Sequence, residues 1–436
     1  MKNIFVVGMD SFNHELLKTL NDGEQYRFIS LFDYEEVVNP PGFSYPSMND
    51  LVDRARATFK LFDGTVDGII GFWDFPTSAL VPMIARDAGL AAPTLEAVAR
   101  CEHKYYARLE QTKAVPDMVP RFQVINPFDE DPAEAVTLDY PFWVKPIKAH
   151  SSFLGFHVDG PETLRQCMAT TREQISKLGE PFNEFLARVE LPPEVEGIDG
   201  YHCIAEEIIS AGFQCTLEGY CWENQVKVFG VVDSIKSKEK ESTFSRYQYP
   251  SKLPSEVQAR MVVATRELMR QIEYDGGAFN IEFFWNPDTD HIYLLEVNSR
   301  VSKSHSPLFL MVDGATNLKV PLDLALGRRP EFPSREGVHP LAGKFMLRYF
   351  EDGIIERLPD DNDLARLREL DPEARVVLEA SEGMQLSELK LQDSYSYEVA
   401  AIFLGAESQK ALLDKFEKAK EILGFKIRPL EGETAV

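Results

Sequence analysis

The sequence predicts a chain of α/β and α+β parts: an N-terminal open, mostly parallel α/β domain, a central domain organised around an antiparallel hairpin, and a small C-terminal α+β domain. Three observations predict it. Over residues 1–100 short apolar runs alternate with helical ones, the pattern of βαβ units. Over residues 277–300 two period-two runs flank a turn, the pattern of a hairpin. Beyond about Pro330, strand-like material from Leu341 to Tyr349 mixes with charged helices such as Ser408 to Leu423. The expected domains are 1–100, 101–330 and 331–436.

The N-terminal pattern runs Ile4 to Val7, Asn13 to Leu20 and Arg27 to Leu31, then Asp67-Gly68-Ile69-Ile70-Gly71 and a helix from near Thr77 to Asp87. The run after Met1 has one basic residue and is too short for a signal peptide or a membrane span, so it reads as a buried strand. The turn Gly8-Met9-Asp10 is not Gly-x-Gly-x-x-Gly, which argues against a dinucleotide site there. Thr94 with Glu96 starts a helix that leads into Cys101-Glu102-His103-Lys104. Strands follow at Pro141 to Lys145, Tyr201 to Ala205, Gln214 to Trp222 and Gln225 to Val232, and Ser255-Glu256-Val257-Gln258 has the shape of a capping box.

Composition narrows the partners. A formal net charge of -24 over 436 residues excludes nucleic acid or an anionic membrane as the main partner, so a phosphate site would be a local basic construction. The five cysteines, Cys101, Cys167, Cys203, Cys215 and Cys221, contain no Cys-x-x-Cys pair, which indicates neither a disulfide framework nor a zinc knuckle. A reduced cytoplasm is the expected compartment.

The most informative segment is the hairpin. Glu282 sits in Phe279-Asn280-Ile281-Glu282-Phe283-Phe284, and Glu296 and Asn298 sit in Leu294-Leu295-Glu296-Val297-Asn298-Ser299-Arg300. With a period of two, pairing across the turn can put Glu282, Glu296 and Asn298 on one face. Facing carboxylates repel unless a cation lies between them, and two carboxylates with an amide oxygen suit Mg²⁺. A solvated outer face is the plainer reading of a lone strand glutamate, but apolar flanks and the Asn and Arg that follow Glu296 favour the metal.

Other residues point to a nucleotide. Lys145 ends a buried strand and, with Lys104, offers an ammonium to phosphate. The loop Lys148 to Gly155 brings the hydroxyls of Ser151 and Ser152 but only one glycine. Glu206-Glu207-Ile208-Ile209 could meet an adenine through Glu206 and Ile209. Arg300 is placed to clamp a carboxylate or an acyl phosphate. Arg246, among the aromatics of Phe244 to Pro250, is a candidate substrate contact.

The order Phe142-Trp143-Val144-Lys145-Pro146, Ala205 to Ile209, Phe279 to Phe283 and Leu295 to Arg300 resembles the ATP-grasp superfamily. The resemblance implies an ATP-grasp central domain with a mobile lid subdomain at about 140–210. It implies that ATP is held by Lys104, Lys145, Ser151, Ser152, Glu206, Glu207, Ile209 and Gln214, where Gln214 replaces a common ribose-binding acid. Glu282, Glu296 and Asn298 would hold Mg²⁺, with Mn²⁺ as an alternative, and Arg300 would act on the reacting acyl phosphate. Biotin carboxylases are the sharpest rival, since Glu296 to His305 can be laid on their Glu-x-Asn-x-Arg-x-x-x-Glu-His run. Ser304 stands where that run has its glutamate base, and serine cannot be that base at neutral pH. The expectation is therefore a carboxylate–amine ligase acting on small carboxylates and amines of the amino-acid kind, with Arg300 and His305 catalytic and Arg246, Arg300 and Ser304 at the substrate. A non-catalytic Mg-ATP-binding protein is the alternative that the glycine-poor loop keeps open, and a homodimer is compatible with either.

Overall fold

The computed structural model describes the chain outside residues 21–22, 151–152, 238–242, 390–395 and 431–436. Its described residues group into two compact units. One comprises Met1–Phe229, Leu253–Lys303 and Leu318–Glu331, the other Gly230–Lys252, Ser304–Asn317 and Phe332–Val436.

In the first unit, the apolar run of β1 (Lys2–Met9) lies fully buried from Ile4 to Val7. It leads through α1 (Ser11–Lys18), β2 (Tyr26–Asp33), α2 (Tyr34–Val37) and α3 (Met48–Leu61) to β3 (Gly68–Ile70). Both neighbours pair with β1 in parallel, in the order β2-β1-β3, as crossover helices require. Next come α4 (Thr77–Ala88), α5 (Leu95–Glu102) and α6 (Lys104–Ala114). Thr94 caps α5 by accepting from the Ala97 N–H, and His103 caps α6 through its ring nitrogen, which accepts from the Tyr106 N–H.

A four-stranded antiparallel sheet follows from β4 (Phe122–Ile125), β5 (Phe142–Pro146) and β6 (Phe156–Val158), then α7 (Pro161–Gln174), α8 (Ser176–Leu186) and β7 (Cys203–Glu207). Its order is β4-β7-β5-β6, with a small core of its own around Phe142, Val144, Val158, Leu164 and Met168. The chain then forms β8 (Phe213–Trp222) and β9 (Gln225–Lys236) around Glu223 and Asn224, both at positive φ as a tight hairpin turn requires. After β10 (Phe244–Tyr249), α9 (Ser255–Gln271) returns the chain to β11 (Gly277–Asn286) and β12 (His291–Asn298), which pair antiparallel in the order β12-β11-β8.

One local expectation is corrected here. Pro254 is the N-cap of α9 and Ser255 is already its first helical residue, so no capping box forms; the Gln258 amide instead donates to the Leu253 carbonyl at 2.8 Å. A proline at the cap has no side-chain acceptor, and Ser255 stands one residue too late to be one.

The second unit contains the later part of β9, β10, α10 (Ser306–Asp313) and, after the first unit's α11 (Lys319–Ala325), the C-terminal elements. These are β13 (Leu341–Tyr349), β14 (Gly353–Arg357), α12 (Asp361–Leu370), β15 (Arg375–Leu378), β16 (Tyr397–Ala406), α13 (Gln409–Leu423) and β17 (Lys426–Pro429). Strands run β9-β10-β13-β16-β15, all antiparallel, and α13 packs Leu412, Ala419 and Leu423 into a core with Phe345, Ile402 and Leu404. The five cysteines are buried and form no disulfide. Among the described residues no helix is long and apolar enough to cross a membrane.

The β8–β11 pairing fixes the hairpin's back face. Gly219 lies opposite Phe279, whose ring takes the space a side chain would need, and a Cβ at Gly219 would also come 2.7 Å from the Lys227 carbonyl oxygen. Gly219→Ala should therefore destabilise the protein by about 1–3 kcal/mol, the usual cost of overpacking, read as a lower denaturation midpoint in urea with an unchanged slope.

Candidate functional site

Glu282 stands directly opposite Glu296, and Asn280 directly opposite Asn298, so these four side chains share one face of the β11–β12 hairpin. The other face is core: Ile281, Phe283 and Leu294 are fully buried. Burial first, and the charge of Glu296 second, push the Glu282 carboxyl up from its ordinary 4.5 to about 7, against a hydrogen bond that Gln214 donates at 2.8 Å. Asn298 spends its amide nitrogen on Asn280 Oδ1 at 3.0 Å and Glu296 Oε1 at 3.5 Å, which leaves its oxygen as the ligand atom. Among the described residues no three His, Cys, Asp or Glu side chains form a metal cage. Two facing carboxylates and an amide oxygen fit Mg²⁺, which needs few protein ligands when phosphates and water supply the rest.

The hairpin carries a bulge after Glu282: Phe283 pairs with Leu294, so Leu295 has no direct partner. The Arg108 guanidinium, 2% exposed on α6, reads this irregularity by donating to the carbonyls of Leu294 at 2.7 Å and Leu295 at 2.9 Å. Its Nε lies 2.6 Å from Glu206, which Lys145 meets from the other side at 2.7 Å. Burial pushes the Glu206 carboxyl up, but Arg108 and Lys145 outweigh it and hold the group at about 2. Glu206 is thus committed to two cations and orients Lys145. Glu207 pairs near the surface with Arg121 at 2.5 Å, Ile208 is exposed and Ile209 is buried.

A second charge chain runs beside the hairpin. Lys104 donates to the Ala149 carbonyl at 2.8 Å and lies 4.0 Å from Glu296; burial lowers its ammonium to about 8, with Glu296 opposing. Lys148 is buried against Glu102 and sits 3.7 Å from Asp74. Glu102 also accepts from the Ser299 hydroxyl at 2.7 Å. Arg300 places Nη2 2.7 Å from Asp74, while its Nε has no partner. Burial favours the neutral form of Asp74, but Arg300, Lys148 and His150 overcome it and hold the carboxyl well below the usual range.

One unit therefore brings together Lys104, Lys145, Glu206, Gln214, Glu282, Glu296, Asn298 and Arg300. Ser151 and Ser152 lie outside the described residues. Arg246, Ser304 and His305 belong to the second unit. There His305 is buried edge-to-face on Tyr247, and Ser304 accepts from Lys344 at 3.4 Å. Sequence reasoning passed over Arg108, Asp74, Glu102 and Lys148 as site residues. Arg108 falls one turn after Lys104, and that spacing was a usable signal; Asp74 carried none.

Two outcomes follow from these charges. Glu282 has a folded value above its ordinary one, so its stabilising form is the protonated one: that contribution is full below 4.5 and lost as pH rises through about 7. In EDTA the melting temperature of the wild type should fall across that window, Glu282→Gln should flatten the fall, and Mg²⁺ should reduce it in the wild type alone. Arg108→Met leaves the buried Glu206 with Lys145 alone and unpairs the Leu294 and Leu295 carbonyls, and should cost about 3–5 kcal/mol in chemical denaturation.

Residues 245–331 match the family described as carbamoyl-phosphate synthase L chain, ATP binding domain. Over 294 residues, 67% of this chain, it is 22% identical to urea amidolyase of Saccharomyces cerevisiae, and the match spans only 15% of that protein. The fold is similar to that of L-amino acid ligase from Bacillus licheniformis, with a TM-score of 0.72, 17% identity and 99% of both chains covered. It is also similar to biotin carboxylase from Campylobacter jejuni, crystallised with a β,γ-ATP compound, with a TM-score of 0.65 and 15% identity over 98% of this chain and 92% of that one. Phosphoribosylglycinamide synthetase from Anaerococcus prevotii gives a TM-score of 0.62 at 16% identity over 98% and 100% of the two chains. The carboxylate hairpin, the separate four-stranded sheet and the buried lysines thus stand in a fold similar to those of the L-amino acid ligase and the biotin carboxylase, and residues 245–331 match an ATP-binding domain.

Proposed function

We propose that the protein is an ATP-dependent carboxylate–amine ligase that uses Mg²⁺ and acts on amino acids. The observation that carries this reading is the facing Glu282–Glu296 pair with Asn298 on the same face and Lys104 at its edge. Such a face is short of positive charge at one end and short of negative charge at the other, as a site for a metal-bound triphosphate should be. Similarity in fold to the L-amino acid ligase, and to a biotin carboxylase crystallised with a β,γ-ATP compound, supports it.

In this reading Lys104 and Lys145 hold phosphate oxygens, Glu206 fixes Lys145, and Ile209 lies in the segment that meets the base. Glu282, Glu296 and Asn298 hold Mg²⁺, which supplies charge neutralisation when bound. The substrate carboxylate attacks the γ-phosphorus as the bond to ADP breaks, and Arg300 trades Asp74 for the resulting acyl phosphate. The amine then forms the C–N bond at the acyl carbon while phosphate leaves and the nitrogen gives up a proton. His305 and Ser304, in the second unit, are the residues proposed nearest to that amine in function.

The biotin-carboxylase alternative shares the fold but lacks its glutamate base, since Ser304 stands at that position. Glu296→Gln should lower turnover by about 100-fold or more while the melting temperature stays within a few degrees of wild type. ADP release from pairs of amino acids with Mg-ATP is the assay. Near wild-type ligation by this variant would remove the metal assignment, and tight ATP binding without ADP release for any pair would show a nucleotide-binding protein instead.

A further inference from the structure

A cleft of about 70 Å³ opens inside the first unit, among the start of α4, the loop before α5, the entry to β11, the tail of β12 and α11. Its rim includes the exposed Ala91, and its wall is largely apolar, with Ile69, Ile70, Val98, Leu324 and Ala325 all buried. Three polar atoms of its lining residues have no hydrogen-bond partner: Thr77 Oγ1, Ser78 Oγ and Arg300 Nε. Thr77 is 0% exposed and Ser78 7%, so bulk water does not answer either hydroxyl. The other polar side chains of the wall are engaged. Tyr274 donates to the Ala278 and Ser299 carbonyls at 2.8 and 3.3 Å, and Ser299 donates to Glu102.

Arg300 spends Nη2 on Asp74 at 2.7 Å and Nη1 on the Val301 carbonyl at 3.3 Å, so Nε is the donor left over. Thr77 and Ser78 are the first two residues of α4, whose N-cap, Pro76, offers no side-chain acceptor. The positive end of the helix dipole therefore reaches the cleft where the two hydroxyls do. A guanidinium N–H only donates, and each hydroxyl can donate. Among the described residues no Asp or Glu lines the cleft, so an ammonium finds no counterion there. Donors without acceptors select an anion, and the apolar wall selects one with a hydrocarbon end. A tetrahedral oxyanion such as phosphate carries oxygens all round and would press some of them unpaired against that wall. At about 10–15 Å³ for each water-sized group, the cleft has room for roughly five to seven.

We propose that this cleft binds a short aliphatic carboxylate, its oxygens on Arg300 Nε and the Thr77 and Ser78 hydroxyls and its hydrocarbon end against Val98, Leu324 and Ala325. Two carboxylate oxygens present about four lone-pair directions, enough for the three donors, and bonds to an ionised acceptor are the strong ones. Glycine lets the walls approach each other: a Cβ at Gly71 would come 2.7 Å from Thr77 Cγ2, and one at Gly277 would come 2.5 Å from the Tyr274 hydroxyl. The same chemistry has two sources, an acid activated at the hairpin and an acid held without being consumed. The site rests on the cleft and not on the ligase reading above.

Calorimetric titration of the full chain with acetate, propionate, butyrate and hexanoate, with their amides, and with propylamine and inorganic phosphate tests it. One of the three shorter acids should saturate a single site and bind about tenfold or more tightly than its amide, the loss of one charge-assisted hydrogen bond, and more tightly than hexanoate. Thr77→Val and Ser78→Ala should each weaken that acid by about tenfold, and Ala92→Leu, which fills the rim, should abolish its binding. Because Thr77 Oγ1 has no partner in the protein alone, Thr77→Val should keep the ligand-free melting temperature at or above that of the wild type, so its weaker binding is not a loss of fold. Binding of none of the acids, equal affinity for acid and amide, tighter binding of phosphate or propylamine, or undiminished affinity in folded variants would each overturn the proposal. Incubation with Mg-ATP and hydroxylamine separates the sources: a hydroxamate of the bound acid makes it the activated substrate, and binding without that hydroxamate makes it a retained ligand. Hydroxamate from no carboxylate at all would sink the ligase reading and leave the site standing.

Discussion

The buried contact between Arg108 and Glu206 is the constraint on which the first unit's site depends. A charge 2% exposed on a helix is tolerable only if every donor finds an acceptor, and Arg108 finds four groups on three different elements: Glu206, Gln111 and the carbonyls of Leu294 and Leu295. The guanidinium fork fixes α6 against the end of β7 and against the bulge of β12. From that follow the position of Lys145, held by the second oxygen of Glu206, and the placement of the Glu296 face one residue beyond the bulge. A lysine at position 108 would supply one point charge where a planar fork makes four contacts.

Around this anchor the site buries charge by alternation. Glu102, Lys148, Asp74 and Arg300 form a sequence of opposite signs, each member flanked by its counterion, so that groups from α5, the loop after β5, the loop after β3 and the tail of β12 are stitched together without a net excess. Paired buried ions gain little over apolar packing but lose heavily if one partner is removed, which makes such a chain specific more than strong. The arrangement gives Arg300 a resident carboxylate partner, so any substrate carboxylate that takes the guanidinium must compete with Asp74.

What the sequence revealed follows the range of the physics involved. The hairpin face was legible because side-chain alternation is a local property: once Glu282 and Glu296 lie on paired strands, a period of two and the turn between them settle which side they share. The parallel β1–β3 sheet and the Thr94 cap were legible for the same reason. Asp74 and Glu102 are far from the hairpin in sequence and reach it only through tertiary packing, so no window of residues announced them, and for Arg108 the one local signal was its spacing of one turn from Lys104. Glu206 was found as a position, but its two cations turn an acceptor for a base into a holder of Lys145. At Ser255 the pattern misled, because a capping box is defined by where the helix begins and Pro254 moved that start by one residue.

Two of the shifted groups in the first unit, Glu282 and Lys104, make the strongest link between fold and ligand. Glu282 is pushed up to about 7 because a second carboxylate faces it where water is scarce, and Lys104 is pulled down to about 8 because its ammonium is buried with only a 4.0 Å carboxylate opposite. These shifts have opposite signs, so no single ion relieves both: added cation settles Glu282 but deepens the isolation of Lys104, and added anion does the reverse. A divalent cation carrying phosphate brings both charges at once, the cation to the carboxylate face and the phosphate oxygens to the ammonium. The cost of burying Glu282 and Lys104 as charges is thus the mirror image of what Mg-ATP would supply. A protein built only to bind phosphate would have no reason to face Glu282 with a second carboxylate, Glu296, 4.0 Å from its lysine.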